Sequence, residues 1–229
     1  MLTESKVLTQ NKSDDPAVAG GRRARKKQQT RQLIADTAAR LFAEHGYEQV
    51  AVVDVAEAAD VSEQTVYNYF PTKQDLVLDR EDEIRDRLTD LIRSRAPGMS
   101  PAAAIRVEAM RFLEDIESFP ADQMRGGLAY LAAISPAVRR MSLELTDRFA
   151  DAMAAAIIET NWTTDDTRGQ VAKLQATALA WVFQIIHDET GRRTVAGQEP
   201  VQIAAELRPI VEDLVDSLDH WLSNSGGVT

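Results

Sequence analysis

Apolar residues recur at helical spacing along most of the chain, and the strict alternation typical of half-buried strands is absent. The first continuous stripe predicts a helix over residues 27–45, which Gly46 is placed to end. Its apolar positions are Leu33, Ile34, Ala38, Leu41 and Phe42. Most prolines stand at the edges of the periodic segments, where they do not interrupt a helix. The pattern therefore predicts an all-α protein.

Two short helices and a longer one follow the first. Their predicted ranges are residues 52–59, 63–69 and 73–93. Ser62 is placed to cap the second short helix, and Pro71 ends it by disfavouring the α conformation at the residue before it. Thr72 and Asp75 form a variant of the capping box, which predicts the start of the longer helix.

Beyond Pro97 the pattern predicts four or five longer amphipathic helices. Their expected ranges are residues 101–118, 121–134, 137–161, 166–190 and 202–223. Gly126 and Gly127 mark a break within the second of these. Residues 1–21 have no periodic apolar face, so we expect a disordered extension there.

Charge is distributed unevenly along the chain, whose formal net charge is -10. Residues 22–31 hold six basic residues and no acidic one, whereas residues 81–229 hold 15 Lys and Arg against 24 Asp and Glu. A basic segment beside an acidic body is expected where one end of a protein meets a polyanion. A solvated, flexible basic stretch is the alternative, and charge alone leaves it open.

Composition removes several functional classes. Cysteine is absent, and His45, His187 and His220 are too far apart to form one local metal-binding motif. The motifs of phosphate loops, dinucleotide folds and serine hydrolases are also absent, so we expect neither an enzyme nor a cofactor. The chain lacks an 18-residue apolar run and a signal-peptide core, which leads us to expect a cytoplasmic protein.

Two short helices joined by about three residues, after a longer helix, form the arrangement of a helix-turn-helix, whose second helix enters the DNA major groove. Within residues 63–70, Val66 and Phe70 lie four apart and face inward. The polar residues left outside are Glu63, Gln64, Thr65, Tyr67, Asn68 and Tyr69. Amides and hydroxyls can bond base edges and phosphates, and Lys73 follows where a phosphate could be held. Spacing alone leaves open a three-helix core with an incidental polar face.

Residues 30–77 resemble the N-terminal domain of TetR-family transcriptional repressors. The resemblance is carried by LFAEHGYE, VAEAADVS, VYNYFPTK and DLV, in the family's order and separation. The remaining residues are similar only in being helical. The resemblance implies a helix-turn-helix DNA-binding domain over residues 22–75 and an effector-binding and dimerisation domain over residues 76–229. It also implies a homodimer that binds a palindromic double-stranded operator, most simply as a repressor.

The resemblance also places particular residues at DNA. They are Arg25, Lys26, Lys27, Thr30, Arg31, Ser62, Gln64, Thr65, Tyr67, Asn68, Tyr69 and Lys73. Of these, the four from position 64 to 68 that flank Val66 would face the operator bases. Tyr69 and Lys73 would contact the DNA backbone, Thr30 or Arg31 would approach a phosphate, and the basic arm could follow a groove. For Tyr67, packing against the first helix is the alternative.

The chain departs from the family where the first short helix begins and where it ends. Val50 and Ala51 stand where Thr or Ser usually caps that helix and touches phosphate, a loss of about 1 kcal/mol. Val53 is apolar where the family commonly has a polar residue, and Asp60 replaces the usual turn glycine. A ligand-sensing or protein-partner module with weakened DNA binding is therefore the alternative function. The dense basic arm could also replace the lost phosphate contacts.

A palindrome reader needs a dimer surface, and the last two helices carry more apolar residues than one chain requires. The interface residues we predict are Leu179, Phe183, Ile186, Leu207, Ile210, Val211, Leu214 and Leu218. Packing within the chain is the alternative for both helices.

A ligand-responsive regulator also needs a largely apolar effector site, for a small and apolar effector. The candidates are Phe112, Phe119, Met124, Tyr130, Phe149, Met153, Trp181 and Phe183, and for each one separately ordinary core packing is the alternative. His187 we assign to a solvated helix end near Gly191, and acid or base chemistry with Asp188 and Glu189 is the alternative.

Overall fold

The computed structural model describes residues 16–79, 81–160 and 168–226, and over these ranges it contains helices and no strand. The all-α prediction is confirmed. The helices are α1 (Pro16–His45), α2 (Val52–Ala58), α3 (Glu63–Tyr69), α4 (Glu81–Ser94), α5 (Pro101–Ser118), α6 (Ala121–Met124), α7 (Leu128–Ile134), α8 (Pro136–Glu159), α9 (Arg168–Val195) and α10 (Pro200–Gly226). A short 3₁₀ helix, Gln74–Leu76, lies between α3 and α4.

Helix α1 begins well before the predicted residue 27. Residues 16–21, expected to be disordered, belong to this helix, and residues 1–15 lie outside the described residues. The basic residues Arg25, Lys26 and Lys27 therefore stand on a helix rather than on an extended arm, and their side chains are exposed.

The prediction of one continuous helix over residues 73–93 was wrong. The Thr72 amide donates to Asp75 Oδ2 at 2.7 Å, and the Asp75 amide donates to Thr72 Oγ1 at 3.3 Å. This reciprocal bonding closes a 3₁₀ turn, and α4 begins only at Glu81.

The glycine pair divides the predicted helix 121–134 into α6 and α7. A Cβ at Gly126 would lie 2.7 Å from the carbonyl carbon of Ala39, so α1 approaches this corner more closely than any side chain allows. Gly191, in contrast, does not interrupt its helix, α9. It lets that helix pass against the backbone of Ala129 in α7 and continue to Val195, beyond the predicted end.

The buried apolar residues form two clusters. The head cluster joins the inner faces of α1, α2 and α3 to α7 and the start of α8. Its members include Ile34, Ala38, Phe42, Val55, Val66, Phe70, Leu131, Val138 and Met141. Leu33, which we placed on the apolar stripe, is 50% exposed because it lies to one side of the buried face of α1. The unit formed by α1, α2 and α3 therefore shares its core with α7 and the start of α8.

The ring cluster fills the larger domain, where five helices close into a ring. Helix α4 packs on α8, α8 on α9, α9 on α10, α10 on α5, and α5 on α4. Helices α5 and α9 lie across the ring from each other and approach closely at only a few positions. Side chains of both point into the space between them, so the centre of this domain is filled by side chains rather than by helix-on-helix contact.

Candidate nucleic-acid interface and effector site

Helix α3 is held by its apolar side and by a cap. Val66 and Phe70 are buried in the head cluster. At the start of the helix the Thr65 amide donates to Ser62 Oγ at 3.1 Å, and the hydroxyls of these two residues lie 2.7 Å apart. The predicted cap at Ser62 is therefore present, and it fixes which residues of the short helix face outward.

The outer face of α3 carries side chains suited to reading bases. Gln64, Tyr67 and Asn68 are exposed, and Tyr67 retains 39% of its surface. Gln64 Nε2 donates to Asn68 Oδ1 at 3.2 Å, which leaves Gln64 Oε1 as an acceptor and Asn68 Nδ2 as a donor. An adenine edge offers the matching donor and acceptor in the major groove. Thr65 and Tyr69 are half-buried, and Tyr69 packs on the head cluster.

Lys73 follows α3 along the chain and lies against an aromatic ring. Its Nζ lies 4.2 Å from the ring centroid of Tyr47 and 6.0 Å from that of Phe42. Burial lowers the pKa of Lys73, and the charges of Glu48 and Asp54 act in the opposite direction. The ring contacts hold the ammonium near one place instead of leaving it on a free stem.

The two polar residues predicted at the start of the first helix bond to their own chain. Thr30 Oγ1 donates to the Lys26 carbonyl at 3.0 Å. Arg31 donates to the Asp79 carbonyl at 2.6 Å, lies 3.7 Å from the Asp79 carboxylate, and stacks 4.8 Å from the Phe70 ring centroid. Part of the charge of Arg31 is therefore already neutralised by Asp79.

The start of α2 has the weak cap expected from the sequence. Ala51 offers no side-chain acceptor, although its amide donates to Asp54 Oδ2 at 2.6 Å. The turn after α2 places Asp60 in the left-handed region at φ 53°. Asp54 thus supplies half of a capping arrangement, and the free amides at the start of α2 lack the other half.

A polar link joins the loop between α1 and α2 to the start of α8. Glu48, in the loop after α1, accepts a hydrogen bond from Ser135 Oγ, and Ser135 Oγ also accepts from the Val138 amide at the start of α8. The hydrogen bond from Ser135 is the main cause that lowers the pKa of Glu48, with the charge of Lys73 a smaller cause. One hydroxyl therefore caps α8 and connects it to the loop that flanks α2.

The eight predicted effector residues divide into those inside the ring and those outside it. Phe112, Met124, Phe149, Met153 and Phe183 belong to the ring cluster or pack on it. Phe119 and Trp181 are 45% and 43% exposed, and Tyr130 packs on the head cluster. These three do not share a site with the others. The sequence could not show this, because helical spacing alone does not tell which side of a helix meets the interior.

Sequence reasoning missed the surroundings of His187. We expected a solvated helix end, but α9 continues past Gly191, and the imidazole of His187 lies deep in the domain. Its centroid lies 5.3 Å from that of Phe112, which in turn lies 5.8 Å from Phe183. No motif surrounds this histidine in the sequence, so the only available signal was its place on the inward side of α9.

Five of the predicted dimer residues are buried inside the chain. Leu179, Phe183, Ile186, Leu207 and Val211 retain at most 3% of their surface, which leaves almost nothing for a partner to cover. Leu214 and Leu218 are half-buried, and Ile210 is 41% exposed. The apolar excess that we read as an interface is largely the interior of the ring.

An apolar stripe does lie on the outer side of α9. It consists of Leu174, Ala178, Trp181 and Ile185, spaced four, three and four residues apart. Leu174 and Trp181 are 60% and 43% exposed. Helix α9 is thus apolar on its inner and outer sides, which is typical of a helix covered on both.

Comparison with known proteins gives a consistent result. The family model described as bacterial regulatory proteins, tetR family, matches residues 34–79. The chain is 28% identical to the HTH-type transcriptional regulator EthR of Mycolicibacterium smegmatis over 198 residues, 85% of each chain. It is 29% identical over 114 residues to the uncharacterized HTH-type transcriptional regulator YuxN of Bacillus subtilis, a match that covers 48% of this chain and 39% of that protein.

Solved structures show the same fold. The chain is similar to NalD, the secondary repressor of the MexAB-OprM multidrug efflux pump in Pseudomonas aeruginosa, with a TM-score of 0.54 and 16% identity over 85% of this chain and 95% of that one. A TetR-family regulator from Streptomyces coelicolor gives a TM-score of 0.51 and 18% identity, covering 82% and 96%. In the part of the chain that the structure describes, every helix falls short of the length or apolar content needed to cross a bilayer.

Proposed function

Since the chain belongs to the TetR family of transcriptional regulators, we propose that it is a repressor that binds a palindromic operator as a homodimer and leaves it when a small apolar effector binds. The chain is a DNA-binding regulator and not an enzyme. We place it in the cytoplasm, where an operator on the chromosome is accessible.

The observation that carries the DNA-binding proposal is the outer face of α3. Buried Val66 and Phe70 anchor the helix, while exposed Gln64, Tyr67 and Asn68 present paired amides and a phenol to solvent. Lys73 lies at one flank for a phosphate, and Arg25, Lys26 and Lys27 are exposed on α1. The acidic remainder of the chain then stays away from the duplex.

Selection from random duplexes at two salt concentrations tests this proposal. We expect an enriched palindrome whose half-sites are related by the two-fold axis of the dimer. Gln64→Ala and Tyr67→Ala should abolish the enrichment, whereas Gln202→Ala, an exposed glutamine on α10, should leave it unchanged. Binding without sequence preference, weakened equally by salt on all duplexes, would contradict a base-reading α3.

The dimer surface that we propose is the outer stripe of α9 together with the exposed part of α10. Leu174 and Trp181 on α9 and Ile210 on α10 are large apolar side chains with 41–60% of their surface exposed. The two helices pack on each other, so the exposed side chains lie on neighbouring elements. Two such pairs would form a four-helix bundle between subunits, which covers the second apolar side of α9.

The effector site that we propose is the interior of the five-helix ring. Phe112 and Phe183 meet there across the space between α5 and α9, and Phe149 and Met153 line it from α8. Aromatic and Met side chains give a site that suits an apolar ligand and can repack around it. A ligand that enlarges this space would move α8 relative to α9.

Helix α8 provides the route from the ring to the DNA-binding unit. Phe149 and Met153 belong to the ring cluster, while Val138 and Met141, on the same helix, belong to the head cluster. Ser135 at its start bonds Glu48 in the loop before α2. An effector that binds better to one position of α8 would thereby favour one spacing of the two α3 helices.

A protein-partner or ligand-sensing module with weakened DNA binding is the second candidate. It is favoured by Ala51, which provides no side-chain cap at α2, and by Arg31, whose charge is shared with Asp79. Retention on duplex DNA that falls steeply with salt would support the repressor, since each neutralised phosphate releases counterions. A chain that elutes at low salt, without sequence preference, would support the module.

A further inference from the structure

His187 occupies an unusual position in the five-helix ring. The imidazole is surrounded by protein and makes an edge-to-face contact with Phe112 at an interplanar angle of 72°, and yet the side chain is only half-buried. His187 is therefore deep in the domain and still partly accessible to a small molecule. It lies opposite Phe112 of α5, where α5 and α9 approach closely at only a few positions.

The hydrogen bond of His187 fixes which ring nitrogen carries the proton. Nδ1 lies 3.0 Å from the carbonyl oxygen of Phe183, and a carbonyl can only accept. Burial lowers the pKa of His187, with the bond to Phe183 acting in the opposite direction, so the imidazole is neutral at pH 7. The proton is therefore on Nδ1, and Nε2 carries a lone pair.

Nε2 has no hydrogen-bond partner within the described part of the chain. It is an acceptor on the side of the imidazole away from the Phe183 carbonyl, and the imidazole centroid lies 5.3 Å from that of Phe112. An acceptor in such surroundings gains most from a ligand that brings a donor, because water is displaced and the aromatic walls offer no donor.

We propose that Nε2 of His187 is the polar contact of the effector site, and that it selects neutral apolar ligands with an O–H or N–H donor. This inference rests on the proposed effector site and names the chemistry of its ligand. A ligand whose only polar group is an ether or ester oxygen would place an oxygen lone pair against the lone pair of Nε2, and the two cannot form a hydrogen bond. Such a ligand leaves Nε2 unpartnered when it excludes water.

The neighbouring charges favour a neutral ligand over a carboxylate. Asp188, the next residue on α9, is paired with Arg139 of α8 and accepts from Gln184 Nε2 at 2.7 Å. Gln184 Oε1 in turn accepts from Ser142 at 3.1 Å and from Thr146 at 2.6 Å. The guanidinium of Arg139 is therefore committed within this network, and a carboxylate beside His187 would have to compete with Asp188 for it.

Matched pairs of small probes test the proposal on the purified full chain. The pairs are phenol and anisole, indole and N-methylindole, and 1-octanol and its methyl ether, each differing by one donor. Binding constants come from calorimetry, and the ¹⁵N spectrum of the imidazoles reports Nε2 of His187 directly. Exposed His220 on α10 serves as the internal control in the same spectrum.

We expect the donor member of a pair to bind roughly 3- to 10-fold more tightly, the ratio of one hydrogen bond. The Nε2 signal of His187 should move upfield with the donor probe and not with its methylated partner. His187→Phe keeps a flat ring without the acceptor and should reduce the ratio to about one, while His220→Phe should leave it unchanged. If His187→Phe fails to fold, the movement of the Nε2 signal in the unsubstituted chain alone shows whether His187 accepts from the donor probe.

Three results would overturn the inference. Equal binding of both members of each pair, with no movement of the His187 signal, would leave the ring as an effector site and remove its donor preference. A preference for donors that survives in His187→Phe would assign it to another group. If no probe binds while the operator is still recognised, the proposed effector site fails together with this inference.

Discussion

Gly126→Ala should push α1 away from the corner between α6 and α7 by a distance that the structure allows us to calculate. A Cβ at this position would lie 2.7 Å from the Ala39 carbonyl carbon and 2.8 Å from Ala39 Cβ, whereas ordinary contact begins near 3.4 Å. The carbonyl oxygen of Ala39 lies closer still, and because backbone atoms of α1 are involved, the helix must move by about 1 Å or the corner at α6 must open. Overpacking of this kind costs about 1–3 kcal/mol of unfolding free energy.

The matched control is the adjacent substitution Gly127→Ala. Its Cβ would lie 3.4 Å from the Met124 carbonyl oxygen, which is ordinary contact, so we expect a change within about 0.5 kcal/mol. Urea denaturation measures both unfolding free energies, and fluorescence titration with the selected operator measures DNA affinity. We expect Gly126→Ala to weaken both, because α1 carries the scaffold on which α3 packs. Equal stability and equal affinity of the two variants would refute the reasoning.

Three further predictions concern other contacts. Leu174→Glu should raise the dimer dissociation constant at least about tenfold in sedimentation experiments, because it would bury a carboxylate in the proposed interface. Val107→Glu, at an equally exposed position on α5, should leave the constant unchanged. If Leu174→Glu also leaves it unchanged, the α9 stripe is not the interface. The lowered pKa of Glu48 implies a stabilisation of the fold that is present above the ordinary pKa of 4.5 and is lost as pH falls through the lower pKa of the folded state. Glu48→Gln should therefore make the unfolding free energy depend less steeply on pH in the acid range. Glu144→Gln, at an exposed position on α8, should leave that dependence unchanged. Lys73→Ala should reduce the slope of log affinity against log salt by about one, and the same slope in Lys73→Ala as in the α9 control Lys173→Ala would show that Lys73 touches no phosphate.

The sequence was sufficient to predict elements whose signals are local. Ser62 and Pro71 delimit α3 because a cap and a proline act on the residues beside them, and the structure has α3 from Glu63 to Tyr69. The inward side of α3 followed from two apolar residues four apart. The polar face that we propose for DNA is what this spacing leaves outside.

Long-range packing decided the elements that the sequence mispredicted. Gly191 resembled a helix end, but the close approach of Ala129 makes a glycine necessary inside α9. Leu179 and Leu207 were read as interface residues because an apolar stripe does not reveal what covers it, and the ring of helices buries both. The surroundings of His187 carried no sequence signal, since its ring contact is with Phe112 on a distant helix.

The most direct test of the central claim compares base preferences position by position for the unsubstituted chain and for Asn68→Ala. Asn68 lies on the exposed face of α3 with its Nδ2 available as a donor. If α3 reads the operator, the selected palindrome should lose its preference at one pair of symmetry-related positions, with a loss of about 1–3 kcal/mol there, and keep it elsewhere. Identical preferences at every position for both proteins would show that α3 does not read DNA bases.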